Sequence, residues 1–309
     1  MSSSNTKATT KARSTSLLSK LPRGIDGVLL LSLIWYISVK FDPSGVPCQR
    51  LSEITLMMIA GTVLWASFHL LVSYLLSPML LRKLPSLYND AHGSSSRSLH
   101  DRHCEFLNRV VSLVHAVLSF SFALLVLSRG FEIGHRNTEL QSKMLTFSAT
   151  YFLFDYFYVT FHRLGDSMDV IHHFISVGGL LSTLLLDQCG GEVVCAVVVT
   201  EVSNPFLHIR KLLQILKLHK LYPTLFQYNN YMFALAYLVG RMLFGGWFVY
   251  LTITSANSPL LMKVPPRASP HDLFRPFVKF ITGCIVLNAF PVCRMVQAHS
   301  RRCPCPPRQ

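Results

Sequence analysis

The sequence has few charged residues: Asp, Glu, Lys and Arg make up 14% of its 309 residues. A soluble domain carries roughly 25% charged residues. Half of this chain (50%) is hydrophobic, and its mean hydropathy is +0.38. Apolar runs of about 17 to 25 residues, the length that a helix needs to cross a membrane, recur along most of it. The composition therefore argues against a soluble protein and indicates a helical protein with several membrane spans.

Several catalytic and metal-binding motifs are missing. The eight cysteines form no Cys-x-x-Cys pair, so we expect no disulfide framework. The chain has no Gly-rich phosphate loop and no Gly-x-Ser-x-Gly nucleophile motif. Membrane di-iron enzymes need several clustered His motifs, whereas this chain has a single His-His pair. Zinc usually takes three or four ligands, and nothing in the spacing of that pair with Glu201 demands a zinc site. We therefore expect neither a metal nor a cofactor.

The predicted fold is all-α, a polytopic transmembrane bundle of about eight spans. Pro205 is expected to bend the sixth span and to free a backbone carbonyl. The eight apolar runs are Gly24–Phe41, Leu51–Leu81, Asn108–Leu127, Met144–Phe161, Asp169–Leu186, Glu192–Ile209, Asn230–Thr254 and Phe274–Val296.

Composition divides the chain into four parts. Residues 1–23 form a basic tail that is rich in Ser and Thr, and residues 24–84 form an N-terminal pair of transmembrane helices. A polar loop, Pro85–His103, separates this pair from the main membrane domain, residues 102–298. Residues 299–309 are a second basic tail.

The net charge of +14 is spread over short loops between apolar runs, so we expect no nucleic-acid partner. An even number of spans places both termini on one side, and the basic clusters then fall on that same side. The positive-inside rule assigns this side to the cytosol. The expected location is an endomembrane, such as the endoplasmic reticulum.

Four ionisable side chains lie inside or at the start of apolar runs: Asp155, His172, His173 and Glu201. Such groups are costly in hydrocarbon, so they usually face a bundle interior and mark function. A neutral imidazole can act as a nucleophile or as a general base at cellular pH. The alternative is that these groups only fasten helices together, at about 0.6 to 2 kcal/mol per hydrogen bond.

Other polar residues in the spans are candidates for lining a substrate cavity. Arg241 is a plausible counter-ion for Asp155 or Glu201, and the histidines are another. Asn108, Ser112, His115 and Ser119 recur at helical spacing and form one polar stripe. The candidate cavity residues are Tyr151, Asn204, His208, Arg241, Asn288 and His115.

From about Asn108 to Arg294 the motifs resemble the TLC-domain family, which includes ceramide synthases, translocation-associated membrane proteins and a small group linked to membrane-lipid homeostasis. Each motif alone is weak, but their order and spacing together are specific. In order along the chain they are Asn108-Arg109-Val110-Val111-Ser112 with His115, Tyr151 with Asp155, Gly165-Asp166, Ile171-His172-His173, Glu201-Val202-Ser203-Asn204-Pro205-Phe206 with Arg210, Arg241 and Asn288.

The resemblance implies a six-helix TLC core and is closest to the lipid-homeostasis group, in which Glu-x-Ser-x-Pro follows the paired histidines. Ceramide synthases carry His-Asp-x-Ser-Asp at that point, whereas this chain has Thr200, Glu201, Ser203 and Asn204. The expected function is therefore binding or remodelling of membrane lipid in an intramembrane cavity. Two alternatives stay open: a ceramide-synthase-like N-acyltransferase that uses acyl-CoA, and a lipid carrier or chaperone without chemistry. The oligomeric state does not follow from the sequence.

Overall fold

The computed structural model describes residues 48–88, 98–165 and 167–254. Within these ranges the chain is helical apart from turns and one isolated β-bridge, between Arg136 and Gln188, which confirms the all-α fold class. The helices are α1 Cys48–Tyr88, α2 Leu99–Leu127, α3 Glu139–His162, α4 Ser167–Leu186, α5 Gly190–Glu201, α6 Asn204–Ile215, α7 Leu218–Leu221, α8 Pro223–Ala236 and α9 Gly245–Thr254, with a π-helical segment, Tyr237–Phe244, joining α8 to α9.

Predicted spans two to seven all fall on helices. The first and the eighth predicted spans lie outside the described residues, so the count of eight stays a prediction. Among the described residues, four helical stretches are long and apolar enough to cross a membrane: Leu51–Leu84, Leu99–Leu127, Gly190–Ile215 and Pro223–Thr252. A shorter apolar helix, His172–Leu186, lies within α4. The protein is therefore a multi-pass membrane protein.

The outward face of α1 is apolar. Leu64 and Leu70 are 70% and 68% exposed, although burial of such side chains is favourable in water. A helix that presents leucine outward along several turns is suited to lipid rather than to water. Trp247 and Tyr250 on α9 are also more than half exposed. These surfaces support the membrane assignment independently of the hydropathy of the chain.

Helices α2 and α3 both begin with a capping box. Ser98 accepts a hydrogen bond from the backbone N–H of Asp101, whose carboxylate accepts one from the backbone N–H of Ser98. Thr138 and Gln141 repeat this capping box at the start of α3. Each box satisfies two backbone donors that a helix start leaves unpaired.

The polar loop predicted over Pro85–His103 is too long, because α1 continues to Tyr88 and α2 already begins at Leu99.

The irregularity expected at Pro205 is present: the helix is interrupted just before this residue, while Val202 and Ser203 keep helical backbone angles. Helix α5 ends at Glu201, and α6 begins at Asn204 with Pro205 in its first turn. Proline is tolerated in a first turn because its missing N–H would be unpaired there anyway. The break leaves backbone carbonyls at the end of α5 that the helix itself does not satisfy.

Helix α3 is central: it packs against α1, α2, α4 and α5, while α2 also contacts α5 and α6. Two apolar clusters of buried side chains hold the bundle together. One contains Met144, Leu145 and Val177 near the start of α3, and the other contains Trp65, Val111 and Phe154 near its end. Ala149 in the first cluster and Tyr151 in the second are two residues apart on α3, and Asp155 follows Tyr151 by one turn.

Hydrogen bonds hold the connection between α4 and α5 against the connection that precedes α3. Arg136 donates to the carboxylate of Asp187 at 2.6 and 2.9 Å, and the backbone N–H of Cys189 donates to the carbonyl of His135. Glu192 accepts a hydrogen bond from the backbone N–H of Gly134 at 2.6 Å. These contacts fix the end of the bundle opposite to Arg163 and leave the histidine pair of α4 facing α3.

Candidate polar site between the helices

The carboxylate of Asp155 and the imidazole of His173 lie next to each other between α3 and α4. Nδ1 of His173 is 3.1 Å from Oδ2 of Asp155, within ion-pair distance but without the alignment of a hydrogen bond. The Asp155 side chain is 6% exposed and that of His173 is 15% exposed. Electrostatic interactions between close side chains are stronger in such surroundings than in water. The prediction that a histidine partners Asp155 is confirmed.

His172 and His173 both face the interior, although neighbouring helical residues point about 100° apart. Their rings are 5.7 Å apart and nearly perpendicular, and each is nearly perpendicular to the ring of Phe152 on α3. Both imidazoles are half-buried. The pair therefore lies at the edge of the packed core.

The polar stripe of α2 packs against the same part of α3. His115 stacks on Tyr151 with 3.6 Å between the ring centroids and 10° between the planes, and Trp65 meets both rings edge-on. Tyr151 also hydrogen-bonds Ser112. His115 is 1% exposed, so in this arrangement it supports Tyr151 by packing instead of lining an open space.

A second polar group forms where α5 ends. The side-chain amide of Asn204 donates to the Oε2 atom of Glu201 at 3.0 Å, and Nη2 of Arg241 donates to Oδ1 of Asn204 at 2.8 Å. The same Nη2 atom donates to the backbone carbonyl of Thr200 at 2.8 Å. A cation at the C-terminal end of a helix can donate a hydrogen bond to a terminal carbonyl, and the negative end of the helix dipole stabilises its charge. The expected counter-ion of Glu201 thus acts mainly through Asn204.

The position of Arg241 depends on an irregular helix. It lies within the π-helical segment Tyr237–Phe244, and such segments are frequent at functional sites. Its guanidinium also sits 5.2 Å from the ring centroid of Tyr237. The preceding residue, Gly240, has no room for a β-carbon, because that atom would clash with the side chain of Val202. This close approach brings the guanidinium to the end of α5.

Electrostatic interactions join the two groups into one site. His172 is close enough to Arg241 to feel its charge, and Tyr151 is close enough to feel those of Asp155 and Glu201. His208 on α6 is buried and interacts with His173, while its Nδ1 atom has no hydrogen-bond partner among the described residues. The fold therefore brings together residues from separate helices that are far apart in the sequence.

Arg109 was not among the candidates from the sequence. It interacts electrostatically with Tyr151 and His208, and its Nε atom is buried without a hydrogen-bond partner among the described residues. Arg109 follows Asn108 in the Asn108-Arg109-Val110-Val111-Ser112 motif, and its membership of that motif is the sequence signal that could have identified it. Asn288, a predicted cavity residue, lies outside the described residues. The remaining candidates all fall on the helices that surround the site.

These features define a multi-pass helical membrane protein with a polar centre that combines two carboxylates, a histidine pair and two arginines. The family model of the TLC domain matches residues 105–297, and the chain belongs to this family. It is similar to TLC domain-containing protein 4 A of Dictyostelium discoideum, with 25% identity over 168 residues, which cover 51% of this chain. The matched stretch spans 64% of that relative's length. The resemblance stated from the motifs is confirmed, and family membership supports a role related to membrane lipid.

Proposed function

We propose that this chain is an endomembrane protein that binds or remodels membrane lipid at the site between α3, α4 and α5, and thereby affects membrane lipid composition. The observation that carries the proposal is the Asp155–His173 pair inside an apolar bundle. Burying ionisable groups is costly, and lone interhelical fasteners do not require a histidine and a carboxylate side by side.

The geometry suits acid–base or nucleophilic chemistry. With Nδ1 of His173 turned toward Asp155, its Nε2 atom is the nitrogen available to a substrate. The carboxylate would orient the ring and stabilise the imidazolium that forms when a proton is taken up. His172, beside it, would position the substrate. The Glu201–Asn204–Arg241 group would then hold the polar part of the lipid, with Arg241 suited to phosphate or carboxylate oxygens.

Alanine substitution of the histidines tests the proposal. His172→Ala and His173→Ala should each abolish the effect of the protein on cellular lipid composition at matched abundance, because alanine removes the proton-transfer group but is a good helix former. The matched control is His135→Ala, since that side chain is 53% exposed in the opposite connection. Unchanged lipid profiles for both histidine variants would rule out catalysis by this pair.

The N-acyltransferase alternative uses the same site, and the Asp155–His173 pair favours it as a base and its orienting acid. An assay of purified protein with acyl-CoA and long-chain bases separates it from the preferred function. Robust turnover would establish the transferase. Transfer of lipid between vesicles without any chemical change would instead support a carrier or chaperone.

We also propose that both termini face the cytosol. One end of the bundle carries Arg82 and Lys83 near the end of α1, Arg163 after α3, and Arg210 and Lys211 on α6. This distribution matches the positive-inside rule. Glycosylation sites introduced at each terminus should stay unmodified, and modification of either one would overturn the orientation.

A further inference from the structure

Three potential metal ligands meet where α2 begins and α3 ends. The ligand atoms of His100, Cys104 and His162 all lie within 4.8 Å of one another. Sγ of Cys104 is 3.5 Å from Nε2 of His100. Four-coordinate zinc with Zn–N of about 2.0 to 2.1 Å and Zn–S of about 2.3 Å brings ligand atoms to roughly 3.4 to 3.7 Å from each other. Small side-chain rotations therefore suffice to close the set around one ion.

The fold builds this cluster from two antiparallel helices. His100 and Cys104 are four residues apart on α2, so they lie one above the other on one face. His162 is the last residue of α3. The hydroxyl of Tyr158, one turn earlier on α3, donates to the backbone carbonyl of Cys104 at 3.4 Å and fixes the register of the two helix ends.

The cluster is accessible from outside the hydrocarbon. Helix α2 has 29 residues and is about 43 Å long at 1.5 Å per residue, whereas the hydrocarbon core of a bilayer is about 30 Å thick. Its first turns, with Asp101, Arg102 and His103, are polar and extend beyond the core. His100 is exposed and His162 is half-buried, while Cys104 is buried beneath them.

We propose that His100, Cys104 and His162 bind one Zn²⁺ ion that ties the start of α2 to the end of α3. Two imidazoles and a thiolate are a donor set that zinc prefers, and three protein ligands leave a fourth position for water. Binding deprotonates the thiol: Zn²⁺ and Cys104–SH give Zn²⁺–S–Cys104 and one H⁺, while both histidines bind as neutral rings.

The carboxylate of Asp101 lies near the ligands. Asp101 interacts electrostatically with His162 and Cys104, and its Oδ2 atom is already anchored by the backbone N–H of Ser98. A negative charge near the ligands favours a bound cation. The sequence alone did not suggest this site, because His162 lies 58 residues after Cys104 and no short motif joins them.

The ion would act on the polar site through α3. His162 lies seven residues after Asp155 on the same helix, which is about 10.5 Å along its axis. Fixing the end of α3 against α2 would restrict the position of Asp155 relative to His173. Zinc would therefore tie α2 to α3 close to the polar site, with its fourth position open to water.

Cobalt substitution tests the site on the full-length protein, purified in nanodiscs with reduced thiols. Co²⁺ should bind with one equivalent and give visible bands of a tetrahedral ion together with a thiolate-to-cobalt charge-transfer band, which an equivalent of Zn²⁺ should remove. Cys104→Ser should lose the charge-transfer band, and His100→Ala or His162→Ala should weaken binding at least about tenfold. Absence of the bands in the unmodified protein would overturn the proposal.

Two controls separate this site from adventitious binding. His103→Ala removes a neighbouring histidine that contacts Ser77 instead of the cluster, and it should leave the titration unchanged. The double variant Cys303→Ser, Cys305→Ser should also leave it unchanged. A charge-transfer band that persists in Cys104→Ser would show adventitious binding elsewhere and refute the site. A further measurement needs no variant: Zn²⁺ should slow alkylation of Cys104 in folded protein at least about tenfold, and equal rates with and without zinc would contradict the proposal.

Discussion

Nη2 of Arg241 lies 2.8 Å from the backbone carbonyl oxygen of Thr200, so a side chain on the π-helical segment completes the hydrogen bonding of the end of α5. The same nitrogen holds Asn204, which in turn holds Glu201. One guanidinium therefore stabilises a helix break and orients a buried carboxylate.

Removing this guanidinium should destabilise the protein. Arg241→Gln leaves the carbonyl of Thr200 and the amide oxygen of Asn204 without their donor, and a buried polar group without a partner costs about 1 to 3 kcal/mol. The matched control is Arg136→Gln, because Arg136 is 80% exposed and its ion pair with Asp187 is worth no more than about 1 kcal/mol. Denaturant unfolding in detergent measures both, and equal losses of stability would contradict the assigned role of Arg241.

A methyl group at position 240 should displace Arg241. Gly240→Ala brings a β-carbon against the side chain of Val202, so the π-helical segment must move away from α5. Overpacking of this kind costs about 1 to 3 kcal/mol. Gly246→Ala is the control: a β-carbon there meets nothing within 4 Å, and alanine is the better helix former. Thermal unfolding should show a lower Tm for Gly240→Ala and an unchanged or higher Tm for Gly246→Ala.

Two substitutions of Glu201 separate its charge from its hydrogen bond. Glu201→Gln keeps an oxygen that accepts from Asn204, so the protein should stay folded at normal abundance. If the charge of Glu201 serves the function, this variant should lose its effect on lipid composition. Glu201→Ala should in addition lower stability by about 1 to 2 kcal/mol, because the amide of Asn204 loses its acceptor. Wild-type lipid profiles for Glu201→Gln would assign Glu201 a purely structural role.

The thiol of Cys189, in the turn between α4 and α5, should react slowly. Burial raises the pKa of Cys189 to about 12, and the nearby Glu192 carboxylate contributes to this rise. Only the thiolate is nucleophilic, and a free cysteine has a pKa of about 8.5. Alkylation of Cys189 at pH 8, followed by mass spectrometry, should be at least about a thousandfold slower than that of a free thiol and should rise about tenfold per pH unit.

The control for the Cys189 prediction is Glu192→Gln. It removes the negative charge beside the thiol and should lower its pKa, so labelling should become faster at every pH. The amide oxygen of glutamine can still accept the hydrogen bond from the backbone N–H of Gly134, which keeps the turn in place. Labelling at the rate of a free thiol in the unmodified protein would contradict the buried position of Cys189.

The sequence by itself determined the class of the protein, because membrane spans are local features. A run such as Leu51–Leu81 must form a helix in hydrocarbon, since no other backbone arrangement satisfies its own hydrogen bonds there. Polar residues inside such runs are costly wherever the helices pack, so Asp155, His173 and Glu201 were recognisable before any fold was known. The motifs around them, in fixed order, were sufficient to identify the family.

Only the tertiary structure decided which of these residues meet. The pairing of Asp155 with His173, the role of Asn204 between Glu201 and Arg241, and the approach of His162 to Cys104 all depend on how separate helices pack. Helical periodicity fixes which face of a helix a residue occupies. It contains no information about which helix packs against that face, or about how the two helices are offset along their axes. The break before Pro205 and the π-helical segment likewise depend on contacts between helices, because only packing supplies the partners for the backbone groups that these irregularities expose.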